Sequence, residues 1–162
     1  MVDTITNYYN AGFIIFDNFF KKILFVKGFL GWGLPKGYYE YKDSNYFETA
    51  VREVKEEIGI DINYSNVFDI SCSYTLLGFN KKVKVCSWGI KPKGFIKKNM
   101  IFYSTKIDSE TNFKIQKDEI YDILWVPIEN VDDIINSNSY SSYEKHKLIN
   151  SINFIKNKVI NL

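Results

Sequence analysis

Residues 52–60 read Arg-Glu-Val-Lys-Glu-Glu-Ile-Gly-Ile (REVKEEIGI), and this stretch decides the fold. Apolar side chains recur at helical spacing through it and just before it, at Phe47, Ala50, Val51, Val54 and Ile58. This periodicity predicts an amphipathic helix from Tyr46 to Ile58. Asn45, followed three residues later by Glu48, can cap the start of the helix, and Gly59 is a natural stop.

The predicted helix carries three glutamates on one side, next to its apolar stripe. At 100° per residue, Glu53 and Glu57 lie about 40° apart, and Glu56 lies within about a further 100°. Their mutual repulsion is unfavourable, and a divalent cation would offset it. Clustered carboxylates suit Mg²⁺ or Mn²⁺. The same three residues could also form an ordinary solvated acidic face.

The segment before the helix, Gly28–Gly37 (GFLGWGLPKG), contains four glycines and one proline, which predict an irregular loop. The Gly37 carbonyl could coordinate a metal ion, and Lys36 could reach a phosphate oxygen. Arg52, beside Glu53, could orient a carboxylate through a bidentate pair. Loop and helix together therefore predict a site with acidic, cationic and exposed backbone groups.

Short β-branched and aromatic runs predict strands elsewhere. The predicted elements are a hairpin of Gly12–Phe16 and Ile23–Val26, strands at Ile70–Leu77, Val83–Ile90, Met100–Ile107 and Tyr121–Val126, and a short helix at Ile128–Asn136. Leu148, Ile152, Ile155 and Val159 predict an amphipathic C-terminal helix, with His146 on its surface. Because strands and helices mix without βαβ alternation, we expect an α+β or αβα sandwich.

The bulk properties exclude several classes of protein. The 162 residues suit one domain, 1–162, and the net charge of +2 gives no field that would by itself dictate a polyanionic partner. Cys72 and Cys86 form no CxxC pair, so neither a zinc site nor a disulfide framework is indicated. The chain shows no signal-peptide pattern and no long apolar run. We therefore expect a cytoplasmic protein without a membrane partner, and its oligomeric state stays open.

The motif resembles the signature of the Nudix hydrolases: glycine, five residues, glutamate, seven residues, Arg-Glu, an aliphatic residue, any residue, Glu-Glu, any residue, glycine. Residues Arg52–Gly59 match the second half at every position. One departure is the spacing from Gly37 to Arg52, which is fifteen residues, one more than in the pattern. Asp43 stands where the first glutamate is expected, with Glu40 as the alternative, so the insertion should lie in the loop before the helix.

The resemblance implies an αβα sandwich with a mixed sheet and a signature loop–helix–loop, and a metal-dependent pyrophosphohydrolase activity. The implied ligands of Mg²⁺ or Mn²⁺ are Glu53, Glu57, Glu56 and the Gly37 carbonyl. The implied catalytic residues are Glu56, Glu57, Arg52 and Glu119. Arg52 would orient a glutamate, and the base that activates water would be a glutamate of the signature helix or Glu119. Glu119 could equally be a surface residue at the start of a strand.

Three substrate classes stay open: a messenger-RNA cap, a dinucleoside polyphosphate such as diadenosine tetraphosphate, which would yield ATP and AMP, and a diphosphoinositol polyphosphate. The spacing within Phe113–Trp125 (FKIQKDEIYDILW) resembles the mRNA-decapping catalytic core, whereas a single-domain size favours the dinucleoside polyphosphate. The expected substrate contacts are Lys36, Trp32, Lys93 and Phe95. The last two belong to the basic segment Lys91–Lys98, which could equally be a solvated hairpin.

A function of another class is a nucleotide-binding module that has the same fold but no catalysis. Such modules usually lose a signature glutamate, and this chain retains Glu53, Glu56 and Glu57. We therefore expect an enzyme that acts on a nucleotide-type small molecule or on capped RNA.

Overall fold

The computed structural model describes residues 4–80, 85–86, 89–90, 94–115 and 118–162. The strands are β1 (Thr4–Asp17), β2 (Lys22–Gly28), β3 (Gly31–Gly33), β4 (Lys36–Tyr38), β5 (Val67–Asn80), β6 (Val85–Cys86), β7 (Gly89–Ile90), β8 (Gly94–Ile107) and β9 (Asp122–Pro127). The helices are α1 (Tyr46–Ile58), α2 (Val131–Asn136) and α3 (Ser142–Ile160), with 3-10 turns at Tyr64–Asn66 and Ile128–Asn130. None of the helices in these ranges has the length and apolar character needed to cross a bilayer.

The main sheet is mixed and runs in the order β3-β2-β1-β8-β5. Strands β1 and β8 pair in parallel from Thr4 opposite Gly94 to Asp17 opposite Ile107. The other pairs of this sheet are antiparallel, including β4 on the first half of β1 and β9 on β2. The predicted hairpin is confirmed, because β1 and β2 are antiparallel with Phe16 opposite Ile23.

Successive side chains of β1 enter two different apolar layers, as expected for a strand covered on both faces. Ala11, Phe13 and Ile15 pack with Val54 and Ile58 of α1. On the other face, Ile14 and Phe16 pack with α2 and α3, through Ile135, Leu148, Ile152, Ile155 and Val159 among others. The predicted αβα sandwich is therefore confirmed, and so is the apolar stripe of the C-terminal helix.

Helix α1 has the predicted bounds because both of its ends are marked locally. The Asn45 side chain accepts a hydrogen bond from the Glu48 backbone N at 2.9 Å. Gly59 ends the helix with a φ of 75°, in the left-handed region that glycine adopts without strain.

The prediction of an irregular loop at Gly28–Gly37 is wrong in part, since this segment contains β3 and the start of β4. The segment pairs with the sheet because its backbone lies close to that of β1. The Phe13 backbone N donates a hydrogen bond to the Pro35 carbonyl at 3.1 Å. A Cβ at Gly12 would lie 2.3 Å from that same oxygen. Glycine in β1 thus lets this segment lie against the sheet.

The prediction of one strand at Val83–Ile90 is also wrong. Within the described part of this segment, β6 and β7 pair antiparallel with each other, Val85 opposite Ile90, and form a separate small sheet. Residues 83–84 and 87–88 lie outside the described residues.

Candidate active site

A cleft of about 720 Å³ lies where β4 and the last turns of α1 meet the segments before β9 and α3. Among the described residues, its wall includes six acidic residues, of which Glu53, Glu57 and Glu119 belong to the predicted site, and two lysines, Lys36 and Lys98. The signature helix, the glycine-rich segment and the predicted late glutamate therefore share one concave surface.

Two signature glutamates are buried at this cleft, with Glu53 exposed to 3% and Glu57 to 5%. Glu53 lies directly against Gly37, where a Cβ would be 2.0 Å from the Glu53 carboxyl carbon. Glu57 accepts a hydrogen bond from the Lys36 backbone N at 3.2 Å. Glycine at position 37 is thus a steric requirement for the observed place of the Glu53 carboxylate.

Arg52 links the signature helix to the loop that precedes it. Its Nε and Nη2 donate to the two carboxylate oxygens of Asp43, each at 2.9 Å. Its Nη1 donates to Glu53 at 2.8 Å and to Glu56 at 3.2 Å. The Arg52 guanidinium holds the pKa of Asp43 well below its usual range, and Asp43 in turn raises the pKa of Arg52. Arg52 therefore orients Glu53 while being held by Asp43.

The two candidates for the first acidic position differ sharply. Asp43 is 6% exposed and also accepts hydrogen bonds from the Thr49 hydroxyl at 2.9 Å and the Glu40 backbone N at 3.0 Å. Glu40 has a half-exposed side chain, 3.6 Å from Arg52. Asp43 is thus the carboxylate that the fold builds into the arginine site.

Lys36 is half-buried and has carboxylates around it. Burial lowers its pKa, the nearby Lys98 lowers it further, and the Glu57, Glu144 and Glu53 carboxylates oppose that shift. A cation in such a place suits a bound phosphate oxygen.

The donor set fits a divalent metal ion of the Mg²⁺ type. Mg²⁺ is usually bound by one or two carboxylates, water and substrate phosphates rather than by a closed protein cage. Glu53 and Glu57 supply two carboxylates, and Gly37 leaves room beside one of them. The described residues contain no group of three or more His, Cys, Asp or Glu side chains arranged to hold a metal ion. Glu56, like Glu53, also accepts a hydrogen bond from Arg52.

Not every residue predicted for the substrate lies at the cleft. The Trp32 ring packs against the core and under Lys27, whose Nζ is 5.8 Å from the ring centroid. Phe95, on β8, is 45% exposed but does not contribute to the cleft wall. Lys93 lies outside the described residues. Of the expected substrate contacts, the structure therefore brings Lys36 to the carboxylates.

Several cleft residues were not predicted, among them Lys98, Tyr140 and Glu144. Burial raises the pKa of Tyr140, and the Glu144 and Glu57 carboxylates raise it further. The Ser141-x-x-Glu144 spacing is a capping signal, since the Ser141 hydroxyl accepts from the Glu144 backbone N at 3.2 Å. That signal could have located the start of α3, but not its position beside the cleft.

Comparison with known proteins gives a consistent picture. The family model described as the NUDIX domain matches residues 7–145. Similar solved structures include a C. elegans Ap4A hydrolase binary complex (TM-score 0.61, 18% identity, covering 91% of this chain and 96% of that one). Another is the E. coli dihydroneopterin triphosphate pyrophosphohydrolase (TM-score 0.60, 17% identity, covering 90% of this chain and 95% of that one). A third is the NUDIX domain of Shewanella oneidensis NrtR complexed with ADP ribose (TM-score 0.54, 18% identity, covering 94% of this chain and 88% of that one). No curated protein sequence matches the chain.

Proposed function

The chain belongs to the Nudix family of phosphoanhydride hydrolases, which generally use divalent metal ions, and from this premise we propose that its substrate is a dinucleoside polyphosphate of the diadenosine tetraphosphate type. The observation that carries the proposal is the composition of the cleft. Its signature carboxylates and lysines share a wall with exposed aromatic side chains on two different segments, Tyr38 on β4 and Phe29 after β2. Two separated aromatic surfaces suit a substrate with a base at each end, because bases stack on such rings.

The size of the cleft supports the same class. A volume of about 720 Å³ lies in the range of sites that enclose whole small molecules. An Ap4A hydrolase has the same fold over 91% of this chain. At 18% identity this likeness concerns the fold, so the substrate rests on the cleft itself.

In the proposed reaction, Glu53, Glu57 and the Gly37 carbonyl would hold Mg²⁺ or Mn²⁺. When bound, the ion would neutralise charge at the phosphates and lower the pKa of a water molecule. Arg52 keeps the Glu53 carboxylate in place, and Lys36 stabilises the negative charge of the leaving phosphate.

We assign the base to Glu119. Glu57 already accepts the Lys36 N–H, and Glu56 is paired with Arg52. Glu119 lines the same cleft from the segment before β9. As the base, the Glu119 carboxylate would accept the proton of the water molecule that attacks the phosphate.

The test is a hydrolysis panel with Mg²⁺ and with Mn²⁺, on wild type, Glu57→Gln and Glu48→Gln. Glu48 is an exposed glutamate of the same helix and serves as the matched control. The panel contains diadenosine tetraphosphate, capped RNA, the free cap dinucleotide, a nucleoside-diphosphate sugar and a diphosphoinositol phosphate. We expect ATP and AMP from diadenosine tetraphosphate, a loss of orders of magnitude in Glu57→Gln and little change in Glu48→Gln.

Other outcomes would overturn the proposal and assign another function. Faster release of m7GDP from capped RNA than turnover of diadenosine tetraphosphate would identify a decapping-type enzyme. Binding of nucleotides without metal-dependent turnover of any substrate would identify a nucleotide-binding module.

A further inference from the structure

Asn10 of β1 is a buried polar residue with an unexplained donor. The side chain is 5% exposed, and its Nδ2 has no hydrogen-bond partner. A buried donor without a partner is costly and uncommon in a native protein. Such a group calls for a reason beyond packing.

The strand register places this amide in the floor of the active-site cleft. Ala11 and Phe13 face α1, whereas Ile14 and Phe16 face α3, so the alternation along β1 turns Asn10 to the α3 side. Tyr140 and Glu144 bound the cleft on this side, and Asn10 lines it. Asn10 also borders a smaller groove of about 210 Å³ on the α1 face. There, the side chains next to Asn10 along β1, such as that of Tyr9, are the ones that point to the groove.

The immediate neighbours of Asn10 are an aromatic ring and a thioether. Asn10 is paired with Tyr38 of β4 on one side and with Met100 of β8 on the other, and both line the cleft. The Tyr38 ring is supported by the edge of Tyr8, with ring centroids 5.8 Å apart. A flat, polarisable surface around one amide suits an uncharged heterocycle better than a phosphate.

The lysines lie to either side of this surface. Lys36 is opposite Gly12, two residues along β1 from Asn10 and hence about 7 Å away along the strand. Lys98 is opposite Tyr8, two residues the other way. A nucleotide with phosphates at Lys36 would therefore place its base near Asn10.

We propose that Asn10 is a specificity-determining residue that binds the edge of an adenine base. On the N7 edge of adenine, the amide would donate to N7 and accept from the N6 amino group, whereas the N7 edge of guanine presents two acceptors, N7 and O6, and offers the amide oxygen no donor. The base stacks on Tyr38. Met100 and the two lysines are long, unbranched side chains that can change rotamer to uncover the amide. The inference rests on the proposed function in so far as the cleft is a nucleotide site.

The test measures binding rather than turnover. Calorimetric titration with AMP and with GMP is carried out on wild type, Asn10→Leu and Asn10→Asp. We expect wild type to prefer AMP by about tenfold or more, the discrimination of one bidentate amide–adenine pair. Asn10→Leu should lose this preference, and Asn10→Asp should shift it towards GMP, because a carboxylate accepts from the two adjacent N–H groups of guanine.

Asn99→Asp is the matched control, since Asn99 lies on the neighbouring strand and its Nδ2 donates to the Tyr8 carbonyl at 3.3 Å. This variant should keep the AMP preference. Thermal melting checks the fold, and Asn10→Leu should melt no lower than wild type because it removes an unpaired donor.

Three results would overturn the inference. The first is equal affinity, or no affinity, of wild type for AMP and GMP. The second is an unchanged AMP-to-GMP ratio in both Asn10 variants. The third is an equal fall in affinity for AMP, GMP and inorganic pyrophosphate, which would make Asn10 a phosphate donor. Failure of the proposed function is separate: wild type would then select AMP but not hydrolyse diadenosine tetraphosphate.

Discussion

Replacing Asp43 by alanine should destabilise the protein strongly, although Asp43 is not part of the matched half of the signature. Its carboxylate accepts four hydrogen bonds of 2.9–3.0 Å, two of them from Arg52, and is 6% exposed. Removing one partner of a buried ion pair costs about 3–5 kcal/mol. Because Arg52 keeps its hydrogen bonds to Glu53 and Glu56 in this variant, we expect a loss of stability at the lower end of that range, about 3 kcal/mol.

The measurement is urea unfolding and calorimetry of Asp43→Ala beside Asp61→Ala. Asp61 pairs with Lys55 at 2.8 Å, but its side chain is 84% exposed, so its loss should cost at most about 1 kcal/mol. For a chain of this length, about 3 kcal/mol corresponds to a fall in Tm of roughly 6–12 °C. Equal destabilisation by the two substitutions would refute the reasoning.

The pH dependence of the difference in stability between wild type and Asp43→Ala gives a second check. The pKa of Asp43 is lowered in the folded state, so its stabilisation is fully present above its unfolded pKa of about 3.9. It is lost as the pH falls from there through the folded pKa. The gap in unfolding free energy between wild type and Asp43→Ala should therefore be constant from about pH 6 to pH 8 and shrink below about pH 4. A gap that widens on acidification would contradict this assignment.

Three further predictions concern catalysis. Gly37→Ala should displace Glu53 and lower kcat/KM by about 10²-fold, whereas Gly78→Ala, with open space around its Cβ, should not; equal activities would refute the steric argument. Glu119→Gln should lower kcat by about 10²–10⁴-fold, unlike the exposed Glu110→Gln; an unchanged kcat would exclude Glu119 as the base. Chelation of divalent ions should abolish turnover, and Mg²⁺ or Mn²⁺ should restore it; full activity in excess chelator would rule out a metal-dependent reaction.

The sequence predicts elements whose signals are local. Helix α1 has the expected bounds because Asn45 and Gly59 mark its ends within a few residues of the apolar stripe. Strand β1 begins at Thr4 rather than at Gly12, since its first half is polar and is paired through the backbone ladder with β8. Apolar periodicity carries no information about such a segment.

The same distinction holds at the candidate site. Glu53, Glu57 and Lys36 lie on α1 and the strand before it, so motif spacing predicts their proximity. Asn10 and Glu144 reach the cleft only through strand register and helix packing, from segments that lie far from the signature helix in the sequence. Spacing places Asp43 at the first acidic position with Glu40 as the alternative, and it is burial beside Thr49 that separates them.

The charges of the site explain why Asp43 bears on function as well as on stability. Two buried carboxylates, Glu53 and Glu57, would be expensive without nearby positive charge. Arg52 contacts Glu53, but its two-point pair with Asp43 means that the guanidinium is shared. With Asp43 and Arg52 offsetting each other, the two signature glutamates face Lys36 with an excess of negative charge. An excess of this kind favours a bound cation, so the aspartate at the inserted loop should strengthen metal affinity while it fixes the geometry of the helix.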